Sequence, residues 1–134
     1  MNKPEKKLWD KIKKYMPGDT ERVENICSTG MPDISGAWKK DYWIELKYYS
    51  TLKNKSVQDL LRPSQLGWHR LRAKYGSIIF VIVEKNFVGR CHEYYLYEYD
   101  YSSDNYILIL LTVDKFDQYT GNTFRHQIKG VIER

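Results

Sequence analysis

Hydrophobic and polar positions follow two different periods along the chain, and each period predicts one kind of element. Apolar residues recur every three to four positions over 4–16, which predicts a helix with Pro4 in its first turn. The same spacing over 63–76 predicts a second helix that begins at a proline and ends at a glycine. The stripe expected to face the protein interior is Gln65, Trp68, Leu71 and Tyr75.

Six shorter runs are rich in aromatic and β-branched residues or mix polar with apolar positions, which is typical of strands. They cover 21–26, 31–38, 42–48, 77–84, 93–99 and 106–112. Between and after them we expect a hairpin turn at 39–41, a loop over 50–59, a turn over 100–105, a short helix around 114–119 and an ill-defined tail. This order predicts an α/β or α+β fold in which helices flank a mixed central sheet.

The chain is long enough for one hydrophobic core and too short for two ordinary domains. It has 134 residues, of which 42% are hydrophobic. We therefore expect a single domain over 1–134, with the main motifs over about 4–84 and further strands and a short helix over about 91–134.

Positive charge is concentrated in the first part of the chain. The formal net charge is +5, but residues 1–74 carry 16 of the 22 basic residues and 9 of the 17 acidic ones, so the remainder is slightly acidic. Such a distribution favours either a face that binds nucleic-acid phosphates or simply a solvated lysine-rich surface. The basic residues that could contact a DNA backbone are Lys11, Lys13, Lys14, Lys39, Lys40, Lys53, Lys55, Arg62, Arg70 and Arg72.

Several classes of protein are disfavoured by the absence of their motifs. No apolar run is long enough to cross a bilayer and no signal peptide is apparent, so we expect a cytoplasmic protein with no membrane partner. Cys27 and Cys91 form no C-x-x-C pair, which disfavours a zinc site or disulfide framework and favours buried free thiols. The three histidines show no ligand spacing, there is no glycine-rich phosphate loop, and no organic cofactor is expected.

One group of residues has the side chains expected of a metal-dependent catalytic site. Asp33 follows Pro32 near the start of one predicted strand, while Glu45 and Lys47 lie two positions apart on the next and therefore point to the same face. Two carboxylates and the backbone carbonyl of Leu46 are oxygen ligands that suit Mg²⁺, for which Mn²⁺ could substitute. Lys47 could orient an attacking water or stabilise charge on a phosphate in the transition state.

Alternative interpretations stay open at several of these positions. A Glu-x-Lys pair on an exposed strand can simply be solvated. Gln65 either points toward the sheet at the rim of the site or forms a hydrogen bond to the backbone at the start of its helix. Glu5 shares a face with the apolar residues of the first helix and is a candidate further metal ligand, and Glu24 competes with it for that role.

The spacing of these motifs resembles that of a known enzyme superfamily. Gly30-Met31-Pro32-Asp33 is followed, twelve residues after its aspartate, by Glu45-Leu46-Lys47 and then by a glutamine at the start of the next helix. This arrangement, which covers about 21–83, resembles the PD-(D/E)xK nuclease superfamily and, within it, the small phage-type VRR-NUC domains. The resemblance implies a restriction-endonuclease-like fold, with Asp33 and Glu45 as metal ligands, Lys47 as the catalytic lysine and Gln65 in the active site.

The resemblance also implies a function. We expect a Mg²⁺-dependent endonuclease that hydrolyses phosphodiester bonds in branched DNA, as Holliday junction resolvases do, and that works as a homodimer because symmetrical cutting needs two sites. A phage-encoded protein of this kind would act in the host cytoplasm. The alternatives are a flap, nicking or restriction-type nuclease of the same fold, a nucleic-acid-binding module that does not cleave, and a tyrosine-rich interaction protein that uses its acidic second half.

Overall fold

Six strands form one mixed sheet in the part of the chain that the computed structural model describes, residues 1–23, 30–87 and 91–134. They are β1 (Asp19–Arg22), β2 (Ile34–Trp38), β3 (Lys40–Ser50), β4 (Ile78–Asn86), β5 (His92–Asp100) and β6 (Asn105–Asp114). Their order across the sheet is the same as their order along the chain. Neighbouring strands are antiparallel except β3 and β4, which run parallel. A parallel pair needs a crossover connection, and here that connection contains helices.

Helices cover both faces of this sheet. The described residues contain α1 (Lys3–Ile12), α2 (Val57–Leu60), α3 (Pro63–Lys74) and α4 (Gln118–Ile132), and a 3₁₀ turn (Lys13–Tyr15) follows α1. The main hydrophobic core forms where α1 and α4 pack against one face. Two smaller apolar clusters form under α2 and α3 on the other face. The molecule thus has the mixed α/β architecture that the sequence predicts.

The central strands present different side chains to the two faces of the sheet. The fully buried set under α1 and α4 includes Tyr42, Ile44, Leu46, Phe80 and Ile82. Because successive side chains of a strand point to opposite faces, Glu45 and Lys47 of β3 point toward the face that α2 and α3 cover. The same strand therefore supplies the core on one side and the candidate chemistry on the other.

Strand β1 and the two cysteines differ from the sequence predictions or lie outside the described residues. The sequence predicts a strand over 21–26, whereas β1 starts at Asp19 and pairs with β2 as far as Arg22. Residues 24–29 lie outside the described residues, and with them the candidate ligand Glu24 and Cys27. Cys91 is exposed, so the prediction of a buried thiol is wrong at that position.

A short helix, α2, occupies part of the stretch that the sequence predicts to be a loop. The hydroxyl of Ser56 accepts a hydrogen bond of 3.2 Å from the Asp59 N–H and so caps its start. Val57 is 4% exposed and packs with Val81 and Val83 of β4. This buried valine anchors the crossover segment to the sheet just before α3 begins.

The C-terminal helix α4 is much longer than the short helix predicted around 114–119. The side chain of Asp117 caps its start by accepting a backbone hydrogen bond of 2.9 Å. Phe124, Ile128 and Ile132 recur every four residues and are fully buried, which gives the helix its inward face. Its glycine and threonine residues lower the intrinsic helix propensity, so burial rather than local preference stabilises it. No helix in the three described ranges combines the length and apolarity needed to cross a membrane.

Candidate active site

Asp33, Glu45 and Lys47 lie on the same face of two adjacent antiparallel strands. β2 pairs with β3 so that Ile34 is opposite Ile44, and one step further along this register Asp33 is opposite Glu45. Ile34 and Ile44 belong to the core under α1 and α4, so the neighbouring pair points to the other face. Lys47 follows Glu45 by two positions and shares that face.

These three side chains line one cavity of about 300 Å³. Its walls come from the start of α1, from the paired strands β2 and β3, and from the start of α3. The lining residues are Met1, Asn2, Glu5, Asp33, Glu45, Lys47, Arg62 and Gln65. A second cavity of about 150 Å³ shares Asp33, Arg62 and Gln65 with it. The fold therefore gathers Glu5, Asp33, Glu45, Lys47 and Gln65, all named from the sequence, around one opening.

Asp33 is held in place by the backbone of the opposite strand. The Leu46 N–H donates a hydrogen bond of 2.9 Å to Asp33 Oδ2. Within an antiparallel pair, the N–H and C=O of one residue point to the same edge of the strand, so the Leu46 carbonyl opens on the Asp33 side as well. The Leu46 carbonyl oxygen, which the sequence suggests as a backbone metal ligand, is thus directed toward Asp33.

Gly30 brings the Asp33 segment against the start of α3. It has a positive φ of 84°, and a Cβ at this position would collide with the carbonyl oxygen of Ser64, so glycine is required. On α3, Gln65 is 3% exposed and its Oε1 accepts a hydrogen bond of 2.9 Å from the Arg62 N–H. Gln65 therefore fills both roles that its sequence position allows, because it caps the helix and also lines the cavity.

Glu45 is almost completely buried beside other acids. Burial raises the pKa of Glu45 well above its usual range, and the charge and hydrogen bonding of Asp33 raise it further, whereas Lys47 lowers it. The pKa of Glu5 is also raised, first by its partial burial and then by the charge of Asp33. Three acids thus line one cavity with one lysine, Lys47, and one arginine, Arg62, and a cation between the acids would be favoured.

The oxygen atoms at this site suit a hard divalent cation. Mg²⁺ is commonly held by one or two carboxylates together with waters and substrate phosphates, and Asp33, Glu45 and the Leu46 carbonyl offer that kind of ligand. Across residues 1–23, 30–87 and 91–134, no group of three or more histidine, cysteine or acidic side chains is arranged to hold a metal ion. The residues present therefore fit Mg²⁺, which keeps part of its water shell, better than a metal that needs a full set of protein ligands.

Comparison with protein-family models, with curated proteins and with solved structures gives no match. The chemistry of the cavity is therefore the main guide to function. It combines a carboxylate pair, a lysine on the same face and an arginine in the wall, which together suit a substrate that carries phosphate and binds with a cation.

His69 is a site residue that the sequence pattern does not indicate. The predicted inward stripe of α3 is wrong in its second half, because Leu71 is 57% exposed and Tyr75 is 76% exposed. The buried residues of this helix are Gln65, Trp68 and His69. Steps of three and four residues from Gln65 put both of the others on its face, and this spacing is the signal that could have identified the histidine.

The ring of His69 lies behind Glu45, on the side away from solvent. Its Nδ1 is 2.6 Å from the Tyr106 hydroxyl, and its Nε2 is 3.6 Å from Glu45 Oε1. Burial, with a smaller contribution from the charge of Lys47, lowers the pKa of His69 to about 4. The imidazole is therefore neutral at neutral pH.

The basic residues predicted to contact DNA are spread over the surface rather than gathered at the cavity. Arg62 lines the cavity itself. Lys39 and Lys40 lie at the β2–β3 turn, about 20 Å along the hairpin from the acids. Lys39 also forms an ion pair with Glu133 at 3.6 Å. These two lysines are therefore remote from the candidate chemistry.

Other basic residues extend the surface on the cavity side of the sheet. Lys53 and Lys55 are exposed in the segment after β3, and the Lys55 ammonium is 5.7 Å from the ring centroid of Tyr49. Tyr49 follows Lys47 by two positions on the same face, so these lysines continue from the cavity along β3. Arg70 is exposed on α3 and forms an ion pair with an aspartate of the β5–β6 turn.

The tyrosine-rich strand β5 contributes mainly to packing. Tyr94 is buried in the main core and Tyr99 is buried beside α3. Tyr95 and Tyr97 stack on each other with ring centroids 6.1 Å apart and border the cluster under α2. Packing thus accounts for these side chains, without a need for stacking on nucleic-acid bases.

Proposed function

We propose that this protein is a metal-dependent endonuclease that hydrolyses phosphodiester bonds in DNA, with a PD-(D/E)xK active site on a restriction-endonuclease-like sheet. The observation that carries the proposal is the common cavity of Asp33, Glu45 and Lys47, which project from one face of adjacent antiparallel strands. The parallel pairing of β3 with β4 across a helical crossover supports the proposed sheet.

Asp33, Glu45 and the Leu46 carbonyl would hold Mg²⁺, and Glu5 supplies a further carboxylate at the same cavity. When bound, the ion lowers the pKa of a water that it carries and offsets negative charge on the phosphate. In its absence, burial and then the charge of Asp33 raise the pKa of the Glu45 carboxyl, so proton loss and cation binding at this pair are coupled.

Lys47 and Arg62 are the groups that would act on the phosphate. The ammonium of Lys47 has three donors and no acceptor, so it can hold the attacking water or neutralise a developing charge. The guanidinium of Arg62 matches the geometry of a phosphate with two parallel N–H donors. The amide nitrogen of Gln65 is left for the cavity, since its oxygen is used in the helix cap. Together these groups would orient the phosphate between the lysine and the arginine.

A branched DNA substrate cut by a homodimer is the most specific form of this proposal. Its support is the motif resemblance and the geometry of the reaction, because a subunit with one cavity cuts one strand and paired cuts need two subunits related by a twofold axis. The net charge of +5 favours binding to the DNA backbone.

A cleavage assay on a labelled four-way junction, a flap and a plain duplex tests the proposal. We expect the junction to be cut in Mg²⁺ or Mn²⁺ and to stay intact in EDTA. Asp33→Ala and Lys47→Ala should each lower cleavage by at least about a hundredfold while DNA binding survives. The physical reason is that Asp33 would hold the cation and Lys47 would act on the scissile phosphate, whereas neither group is needed for contacts with the rest of the DNA backbone.

Matched control variants remove similar charges away from the cavity. Asp41→Ala deletes an exposed carboxylate of β3, and Lys115→Ala deletes an exposed ammonium before α4, and both should cleave as the wild type does. Cleavage by Asp33→Ala at the wild-type rate would contradict the role of Asp33 as a ligand. DNA binding without metal-dependent cleavage would favour the non-cleaving module, and preferential cutting of the flap would favour a flap nuclease.

A further inference from the structure

Two buried polar atoms behind the cavity face each other without a hydrogen-bond partner. Glu45 Oε1 and His69 Nε2 are 3.6 Å apart, and their side chains are 1% and 0% exposed. Neither atom has a hydrogen-bond partner among the residues that the structure describes. Burying such atoms unpaired is unfavourable, and buried polar groups of this kind often mark a functional site.

The hydroxyl of Tyr106 determines which nitrogen of His69 carries the proton. It lies 2.6 Å from His69 Nδ1, and within the described ranges it makes no other hydrogen bond. The other ring nitrogen, Nε2, faces Oε1 of the Glu45 carboxyl group at 3.6 Å. Because a carboxylate oxygen accepts hydrogen bonds, this arrangement places the ring proton on Nε2, and Nδ1 then accepts from the Tyr106 hydroxyl.

Aromatic rings fix the orientation of the imidazole. The ring centroids of Trp68, Tyr99 and Tyr106 lie 6.4, 6.2 and 5.8 Å from that of His69. A ring enclosed on these sides has little freedom to turn its Nε2–H away from the carboxylate. The donor is thus already oriented before any ligand enters the cavity.

We propose that His69 is a positioning residue for Glu45. Its Nε2–H donates a hydrogen bond to one carboxylate oxygen of Glu45 and thereby directs the other oxygen to the cation in the cavity. Tyr106 completes the arrangement by fixing the tautomer of the histidine. A small rotation of the Glu45 side chain closes the gap between the two unpaired atoms. The inference rests on the proposed function, because the second oxygen has a role only if the cavity binds a cation.

Metal affinity in the absence of DNA tests this role. Isothermal titration calorimetry measures Mn²⁺ binding to the full chain for the wild type, His69→Phe, His69→Gln and Asp33→Ala. His69→Phe keeps an aromatic ring but removes the N–H, and its affinity should fall about ten- to a hundredfold, as is typical when a group that orients a metal ligand is lost. His69→Gln restores an amide N–H of similar reach and should recover part of the affinity.

The outcomes separate this inference from the proposed function. If the wild type binds Mn²⁺, Asp33→Ala does not, and folded His69→Phe binds as tightly as the wild type, the role of His69 is overturned while the metal site stands. If the wild type binds Mn²⁺ no better than Asp33→Ala does, the proposed function fails and the inference fails with it. Circular dichroism of each variant verifies that the protein is folded.

The tautomer of His69 gives an independent readout that a purely packing role would not move. In ¹⁵N NMR spectra of the metal-free protein we expect the neutral ring with its proton on Nε2. Tyr106→Phe removes the hydroxyl that fixes this state and should produce a mixture of tautomers. A wild-type His69 with its proton on Nδ1 would overturn the proposal whatever the metal affinities are.

Discussion

The two faces of strands β3 and β4 bury their side chains to similar depths but with different chemistry. The face toward α1 and α4 is mainly apolar, with Ile44, Leu46, Phe80 and Ile82 all fully buried, and its buried Glu84 forms an ion pair of 3.1 Å with Lys11 of α1. The face toward α2 and α3 buries Glu45 and Lys85, which are 1% and 0% exposed. Both faces therefore contribute apolar packing, but the second also buries a carboxyl oxygen without a hydrogen-bond partner among the described residues, which stability alone would not select.

Lys85 and Glu45 show that polar burial on this face takes two forms. The Lys85 ammonium forms a hydrogen bond with Asn54 Oδ1 and lies 3.8 Å from the ring centroid of Phe87. One oxygen of Glu45 has no hydrogen-bond partner in the described part of the chain. The lysine is therefore paired within the fold, whereas the unpaired oxygen of Glu45 faces the His69 imidazole at 3.6 Å. On this face, a buried polar atom without a partner, rather than polar burial as such, therefore distinguishes the candidate site.

The largest expected loss of stability comes from a substitution on the face toward α1 and α4. Phe80 is fully buried and packs edge-on to Tyr42, with ring centroids 6.0 Å apart. Phe80→Ala should lower the free energy of unfolding by about 3–5 kcal/mol, because it removes buried contacts and leaves a cavity. Urea unfolding followed by circular dichroism measures the loss. Ile107→Ala, at a side chain that is 47% exposed, is the control, and a loss for Phe80→Ala below about 1 kcal/mol would contradict its place in the core.

A smaller loss of stability is expected when a buried hydrogen bond on the same face is removed. The hydroxyl of Tyr42 donates to the carbonyl oxygen of Pro17 at 2.6 Å and so joins β3 to the segment that follows α1. Tyr42→Phe should cost about 1–2 kcal/mol, because it leaves that carbonyl buried and unpaired. Tyr119→Phe, at a tyrosine that is 81% exposed, should leave stability unchanged. Equal urea midpoints for wild type and Tyr42→Phe would show that water replaces the lost donor.

On the opposite face, a substitution should stabilise the protein. Glu45→Gln removes a buried carboxylate that lies beside Asp33, and in metal-free buffer we expect a gain of about 0.5–2 kcal/mol at neutral pH. Because the folded-state pKa of Glu45 is raised above its usual value of 4.5, the wild type loses stability as the pH rises above that value. Glutamine does not titrate, so the gain should be near zero at about pH 4 and grow toward neutral pH.

Urea unfolding in EDTA between about pH 4 and about pH 8 measures this difference. Glu21→Gln is the matched control, since Glu21 is exposed on β1, and it should follow the wild type at every pH. A loss of stability in Glu45→Gln at neutral pH would mean that the carboxylate has partners in solution beyond those described above. That result would weaken the contrast between the two faces.

The paired acids could be predicted from the sequence because strand geometry leaves little choice. Side chains alternate along a strand, so Glu45 and Lys47 must share a face. The sequence predicts the hairpin turn at 39–41, whereas the structure places it at Lys39, so Asp33, six residues before the turn, lies opposite Glu45, six residues after it. Local periodicity therefore predicts the shared face, and the exact turn residue decides which side chains are paired.

The spacing from Gln65 includes His69 but does not single it out, because a helix offers more than one stripe of suitable residues. From Gln65, steps of three residues lead to Leu71, while a step of four leads to His69, and both stripes include Trp68. The sheet decides between them, since Trp68 packs on Trp43 of β3 at 5.1 Å between ring centroids. In α4, likewise, the burial of Phe124 outweighs local propensities that argue against a long helix.

The smallest expected change in stability tests which face of α3 packs against the sheet. Leu71 is 57% exposed, so Leu71→Ala should change the free energy of unfolding by less than about 0.5 kcal/mol. If Leu71 instead faced the sheet, the same substitution would cost about 2–5 kcal/mol. Trp68→Ala is the comparison and should cost about 3–5 kcal/mol, because Trp68 is only 7% exposed. Equal losses in urea unfolding would require α3 to be rotated about its axis, and His69 would then no longer lie behind Glu45.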